Sequence, residues 1–282
     1  MSTIQAIFLG VIQGITEFLP ISSTGHLTLA GKLMNLISPE NPEKWTAFMA
    51  VIQLGTLLAV IVYFWKDLIL IAKDFFKENI SSRKKIKEQS HNSMMGWFLI
   101  IATLPVAIIG LVFKHKIEGV FTKNLYVIAI SLIVLAIILA IAEKTGKFNR
   151  EMKSLKWYDA LIVGIAQCFA LIPGSSRSGT TITGGLFLGF TRETAARFSF
   201  LMSIPAVAAS GLLEFYQSLK YINTQGVLNM ALGTLAAAIV GYLSIELLLR
   251  FLKKNTTFVF IVYRIIVGIL ILVLLNFGII QP

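Results

Sequence analysis

Residues 125–142 (LYVIAISLIVLAIILAIA) contain no charged side chain, and residues 258–280 contain one, Arg264. Apolar runs of about 18 residues or more are long enough to cross a ~30 Å hydrocarbon core as helices. Four further segments, 45–64, 97–113, 196–213 and 227–249, read the same way, giving six full crossings. Charged residues make up 14% of the 282-residue chain, against about 25% in an ordinary soluble domain. The sequence therefore predicts an all-α polytopic membrane protein forming one integral membrane domain over 1–282. Soluble, disordered, collagen-like and disulfide-stapled classes are excluded. The single cysteine, Cys168, cannot form an internal disulfide and reads as a small core residue.

Two other apolar regions are too short to cross. Residues 4–19 stop at Pro20 and residues 160–172 at Pro173, reaching about 24 and 20 Å as helices. Each runs into a polar cluster, Ser22-Ser23-Thr24-Gly25-His26 or Gly174-Ser175-Ser176-Arg177-Ser178-Gly179, and then into a second short apolar stretch, 27–37 or 180–190. Helices that enter, break and return fit both. Irregular backbone at membrane depth survives only inside protein or beside a water-filled cavity. The two regions also resemble each other: Gly10-Val-Ile-Gln13 matches Gly164-Ile-Ala-Gln167, and Pro20-Ile-Ser-Ser23 matches Pro173-Gly-Ser-Ser176. The offset falls from 154 to 153 between these matches, which implies one inserted residue in the first copy. Three crossings separate the hairpins, an odd number, so they enter from opposite faces. This predicts an inverted-topology repeat of halves near 1–142 and 156–282, with a binding site near the midplane.

The net charge of +11 suits basic loops held in the cytoplasm better than nucleic acid, and no nucleic-acid partner is expected. Seventeen basic residues, concentrated in the 65–96 and 143–159 loops and around Arg192, Arg197, Arg250, Lys253 and Lys254, fall on one face. Six fall on the other: Lys32, Lys44, Lys114, Lys116, Lys123 and Lys220. Both termini are expected outside, with the 65–96 loop in the cytoplasm. No cleaved signal peptide is expected, because the first basic residue is Lys32.

Ionisable residues inside a membrane are costly and functional by default. Glu246 lies near the end of its span and can snorkel, whereas Arg264, beside Tyr263, reads first as the partner of a carbonyl or a lipid headgroup. Glu17, His26 and Arg177 differ because all three lie at the broken tips. If the tips meet, a carboxylate, an imidazole and a guanidinium converge among Ser22, Ser23, Thr24, Ser175, Ser176, Ser178, Thr180 and Thr181, with Gln13 one turn before Glu17. That set suits a phosphate, which a guanidinium fork grips bidentately. Glu17 is a candidate general base or metal ligand. The candidate nucleophiles are Ser23, His26 and water. Ser23 and His26 are three residues apart, so a returning helix would let His26 orient or deprotonate Ser23. The plainer reading makes Arg177–Glu17 a structural strut.

Gln13-Gly-Ile-Thr-Glu17-Phe-Leu-Pro-Ile-Ser-Ser-Thr-Gly-His26 and Pro173-Gly-Ser-Ser-Arg177-Ser-Gly-Thr-Thr181 resemble the two signature segments of the bacterial undecaprenyl-diphosphate phosphatases of the bacitracin-resistance type. The resemblance covers essentially the whole chain. It implies hydrolysis of a polyprenyl diphosphate to the monophosphate and phosphate, recycling the lipid carrier of cell-wall synthesis at the outer face of the inner membrane. Glu17, Ser23, His26 and Arg177 match its catalytic positions, while Gln13, Ser22, Thr24, Ser175, Ser176, Ser178 and Thr181 stand beside them as substrate contacts. It also implies a divalent cation, Mg²⁺ or Ca²⁺. The family's first motif begins with Glu or Gln, and Gln13 here leaves Glu17 as the one obligate carboxylate, which puts a two-carboxylate metal site in doubt. Membrane lipids are the expected surroundings, and a homodimer is admitted without being required. A transporter or flippase using the same phosphate site is the competing reading, since inverted repeats with broken helices are also a transporter architecture.

Overall fold

The computed structural model of the chain describes residues 1–37, 42–113, 124–218 and 224–281. Among the described residues eleven α-helices follow in order: α1 (Thr3–Phe18), α2 (Ser23–Leu33), α3 (Pro42–Tyr63), α4 (Trp65–Phe76), α5 (His91–Val112), α6 (Leu125–Thr145), α7 (Trp157–Cys168), α8 (Arg177–Phe187), α9 (Arg192–Ser218), α10 (Thr224–Leu252) and α11 (Phe258–Asn276). Helices α3, α5, α6, α9, α10 and α11 are long and apolar enough to cross a membrane, as the six apolar runs require. Short pairs α1–α2 and α7–α8 are the two broken hairpins.

The breaks have local causes. A proline disfavours helix at the residue before it, and Leu19, before Pro20, is extended at φ −66° and ψ 142°. The returning helix α2 starts on Ser22, whose hydroxyl accepts from the Gly25 N–H at 3.2 Å. In the second hairpin Gly174 takes φ +88°, a conformation that favours glycine, and Ser176 caps α8 by accepting from the Gly179 N–H at 3.1 Å. Both capping serines have positive φ, 76° and 67°.

The register of the repeat differs from the sequence expectation. Helix α1 starts at Thr3 and α7 at Trp157, α2 spans Ser23–Leu33 and α8 Arg177–Phe187, and each position differs from its partner by 154. There is no inserted residue. The prolines misled the alignment: Pro20 is equivalent to Gly174, and Pro173 to Leu19. The returning helices accordingly begin at 23 and 177, before the apolar stretches themselves.

Helix pairing obeys the repeat. Exchanging α1 with α7, α3 with α9, α5 with α10 and α6 with α11 converts the α1–α10 contact into α7–α5 and the α3–α10 contact into α9–α5, while α3–α9 and α6–α11 map onto themselves. Equivalent glycines make the close crossings. A Cβ on Gly10 would lie 2.2 Å from the Gly233 carbonyl oxygen, and one on Gly164 would lie 2.5 Å from that of Ala102. Small residues at such crossings suit helices in lipid, where packing rather than hydrophobicity drives association. Along α6, Ala129, Leu132, Ala136 and Leu139 are buried, whereas Ile130, Val134, Ile137 and Ile141 are exposed, the stripe a lipid-facing helix presents.

Part of the 65–96 segment, expected as a loop, is helical. Helix α4 buries none of its residues and exposes Trp65, Ile69, Leu70 and Phe76 beside Lys66, Lys73 and their acidic neighbours. Basic residues assigned to one face do cluster: Arg150 pairs with Asp159 at 2.6 Å, Arg197 with Asp67 at 2.9 Å, Lys253 with Glu193 at 3.4 Å, and Arg192 with Glu143. At the other end Lys32 donates to the Gln281 carbonyl at 2.8 Å and Asn229 to that of Met1 at 2.9 Å, so the two chain ends share a face. Lys114, Lys116, Lys123 and Lys220 lie outside the described residues. Cys168 is only half-buried, its Sγ 3.5 Å from the Gly164 carbonyl oxygen.

Candidate active site

The hairpin tips meet. Ser178 Oγ donates to the Leu19 carbonyl at 2.9 Å, and Arg177 Nη2 donates to Glu17 Oε1 at 3.0 Å, joining residues 160 apart in sequence. Glu17 is the hub of what forms there. Its Oε2 accepts from Ser23 Oγ at 2.7 Å and from Gln13 Nε2 at 3.1 Å. Gln53 of α3 makes a longer 3.5 Å contact to Oε1, and Gln13 also reaches Thr56 Oγ1 at 3.4 Å. A buried carboxylate is tolerable only when paired and hydrogen-bonded, and Glu17 is both.

The Ser23 hydroxyl therefore points at Glu17, not at His26. That corrects the three-residue argument. The His26 ring turns away: Nδ1 lies 2.7 Å from the Ser22 carbonyl oxygen and Nε2 lies 2.7 Å from the Tyr263 hydroxyl. A carbonyl only accepts, so Nδ1 carries a proton, and Nε2 shares a second bond with the Tyr263 hydroxyl, in which either atom can be the donor. The two rings stack 5.6 Å apart and nearly parallel, at 7°.

Other expected residues sort by what they touch. Thr181 Oγ1 meets Ser199 Oγ at 2.6 Å and lies 2.8 Å from the Arg177 carbonyl, which Thr180 also reaches, at 3.0 Å. These bonds hold the first turn of α8. Ser22 and Ser176 are the helix caps. Ser178 ties the tips together. Thr24 is exposed, and no hydrogen bond links it to Glu17, Ser23 or Arg177. Among the expected site residues two buried groups are left without a partner: Ser175 Oγ and Arg177 Nε. Buried donors are nearly always satisfied, so the Arg177 Nε–H is a donor in want of an acceptor.

Sequence reasoning missed Gln53, Thr56 and Ser199, which reach the centre from neighbouring spans. A polar Gln inside the apolar 45–64 run was the available signal. Arg264 is fully buried and donates to three main-chain carbonyls, which decides for the carbonyl over the lipid headgroup. Glu246 takes the Tyr63 hydroxyl and the neighbouring Arg250. Among the described residues no group of three His, Cys, Asp or Glu side chains is placed to hold a metal. The Glu17 carboxylate and the Ser23 hydroxyl are hard oxygen donors suited to a cation shared with a phosphate, whereas Gln13 turns its NH₂ toward Glu17.

An apolar groove of about 410 Å³ leads away from His26 and Tyr263 between α1, α2 and α11, past Phe8, Ile12, Ile15, Leu29, Leu33 and Met34.

Six helices long and apolar enough to cross, two broken hairpins and a carboxylate–hydroxyl–guanidinium centre between their tips define a multi-pass membrane protein with a buried ionic centre. Within that class, the chain belongs to the family described as bacitracin resistance protein BacA, which it matches over residues 6–270. It is 58% identical over 268 residues to a protein of Syntrophobacter fumaroxidans named undecaprenyl-diphosphatase, covering 95% of each chain. It is 46% identical over 291 residues to one of the same name from Chlorobaculum tepidum, covering both chains in full.

Proposed function

We propose that this protein hydrolyses undecaprenyl diphosphate to undecaprenyl phosphate and phosphate in the bacterial inner membrane, returning the lipid carrier to cell-wall synthesis. The observation that carries the reading is the Ser23–Glu17–Arg177 chain, a hydroxyl on a carboxylate on a guanidinium. Binding or transport alone needs neither a nucleophile nor a base, and the names of the relatives favour hydrolysis over transport.

Glu17 takes the proton of Ser23 as Oγ attacks the terminal phosphorus, forming one O–P bond as the bridging P–O bond breaks. Arg177, with its free Nε–H, holds the transferred phosphoryl oxygens and stabilises their charge. The polyprenyl monophosphate leaves, taking up the proton from Glu17. Glu17 then deprotonates a water that attacks the phosphoserine, releases phosphate and restores the Ser23 hydroxyl. Glu17 and Ser23 would hold a Mg²⁺ or Ca²⁺ brought with the diphosphate, which would neutralise phosphate charge. His26, fixed by Ser22 and Tyr263, lines the apolar groove beside the centre, and that groove would receive the first isoprene units. It runs toward Leu33 and Met34, beside Lys32 at the end of the bundle where the chain termini lie. Basic clusters at the opposite end favour the cytoplasm for that end, which supports a site open to the outer leaflet.

Purified protein in detergent, supplied with undecaprenyl diphosphate and a divalent cation, should release phosphate. Transport needs a sealed membrane and hydrolysis does not, so absence of release under Mg²⁺ and Ca²⁺ alike overturns the reading. Acid quenching of single turnovers with terminally radiolabelled substrate should trap an acid-stable, alkali-sensitive label that Ser23→Ala abolishes. An acid-labile, alkali-stable label would transfer the nucleophile to His26.

A further inference from the structure

Arg264 is a buried charge at the hairpin tips that the proposed reaction does not use. It has no exposed surface, whereas the Arg177 side chain keeps 14%. Its donors all go to main chain: Nη2 to the Ser175 carbonyl at 2.9 Å, Nε to that of Leu132 at 3.2 Å, and Nη1 to that of Pro20 at 3.4 Å. Pro20 is the tip of the first hairpin, Ser175 the tip of the second, and Leu132 belongs to α6. One side chain thus satisfies carbonyls that both helix breaks leave outside any helix, and fastens both tips to the α6–α11 pair. The fit is close: a Cβ on Gly179, two residues after Arg177, would lie 2.7 Å from Nη1.

Among the described residues no carboxylate pairs with Arg264. An unpaired buried charge is costly, and carbonyl dipoles offset only part of that cost. The charge count at the tips shows what it does. Glu17 and Arg177 cancel each other, so the Arg264 charge is left in excess at the tips. A diphosphate entering this low-polarity centre loses its hydration, and the Arg264 charge adds to what the Arg177 fork returns.

We propose that Arg264 is a positioning residue for the diphosphate. It locks the two tips together so that Ser23, Glu17 and Arg177 stay in register, and its uncompensated charge turns a neutral centre into an anion site. This rests on the phosphatase reading above. Two variants separate the two contributions. Arg264→Gln removes the charge and keeps an amide donor, so KM for the lipid diphosphate, and the inhibition constant of inorganic pyrophosphate, should rise at least tenfold. Arg264→Lys keeps the charge but cannot reach three carbonyls, so kcat should fall at least tenfold with KM within about threefold. Each variant is first checked for a single size-exclusion peak and an ordinary melting transition. A folded Gln variant with unchanged KM and pyrophosphate inhibition, or a folded Lys variant with unchanged kcat, overturns the proposal. So does loss of folding in both, which would make Arg264 a strut of the fold alone. Wild-type protein in the same assay keeps the two readings apart, because only its inactivity counts against the phosphatase itself.

Discussion

At the scale of single residues, the site divides into what a sequence can display and what it cannot. Glu17, Ser23 and Arg177 were legible because a charge or a hydroxyl beside a proline break in an apolar run has few structural excuses. The partner of Ser23 was not. Spacing along one helix pointed to His26, but a side chain from α11, 237 residues away, turns that ring toward itself. Three substitutions test the roles. Arg177→Lys keeps the charge and loses the fork, so kcat/KM should drop at least tenfold, about 1.4 kcal/mol of barrier; near-normal turnover would remove Arg177 from the site. Glu17→Gln should cost about 10²-fold or more. If added Mg²⁺ or Ca²⁺ restores the rate, Glu17 acts mainly through a cation, whereas persistence of the loss at saturating cation identifies the base. Tyr263→Phe frees His26 Nε2 while leaving Arg264 in place. A change in the acid limb of the kcat profile, with folding intact, would show that the hydroxyl governs the protonation of His26; an unaltered profile would reduce Tyr263 to a stacking partner.

At the scale of elements, the breaks were readable and the register was not. Proline dominates a visual alignment, yet the structural equivalence runs through the capping serines, whose positive φ is invisible in the sequence. Helix α4 was missed for a related reason: its charges made it look like loop, although the apolar side chains of Trp65, Ile69, Leu70 and Phe76 recur among them. The close crossing at Gly10 gives a sharp contrast in stability. Gly10→Ala drives a methyl to 2.2 Å from the Gly233 carbonyl oxygen, so α1 and α10 must separate and the melting temperature in detergent should fall by several degrees. Gly110 has open space around its Cβ position, and Gly110→Ala should hold or raise the melting temperature through helix propensity alone. Equal behaviour of the two variants would contradict the packing described for α1.

At the scale of the whole molecule, the pairing of helices across the halves explains why the chain ends share a face and the basic clusters occupy the opposite one. The orientation is open to direct test: a cysteine added near either end should react with a membrane-impermeant reagent applied to the outside of intact cells, and reaction from the cytoplasm alone would invert the assignment. The basic face has its own pH limit. The Ser90 N–H, donating at 2.8 Å, and then Lys84 at 3.1 Å hold the Glu78 carboxyl below its ordinary range. A lowered carboxylate contributes stability above its unfolded pKa and loses it as pH falls through the folded one. The segment around Lys84 should therefore stay ordered at neutral pH and loosen only in acid below the usual carboxylate range. Trp97, bonded to Asn79 at 3.2 Å, reports the change by fluorescence, and Glu78→Gln should speed tryptic cleavage near Arg83 at neutral pH. Unchanged cleavage would dissociate Glu78 from the order of that segment.

Under the offset of 154, Ser23 and Arg177 are the same position in the two copies, each the first residue of its returning helix, and Glu17 corresponds to Leu171. An antiparallel dimer of one ancestral half would have carried two serines there or two arginines, but never one of each. The two copies thus differ where the reaction needs them to: one tip brings the hydroxyl and the carboxylate, the other the guanidinium.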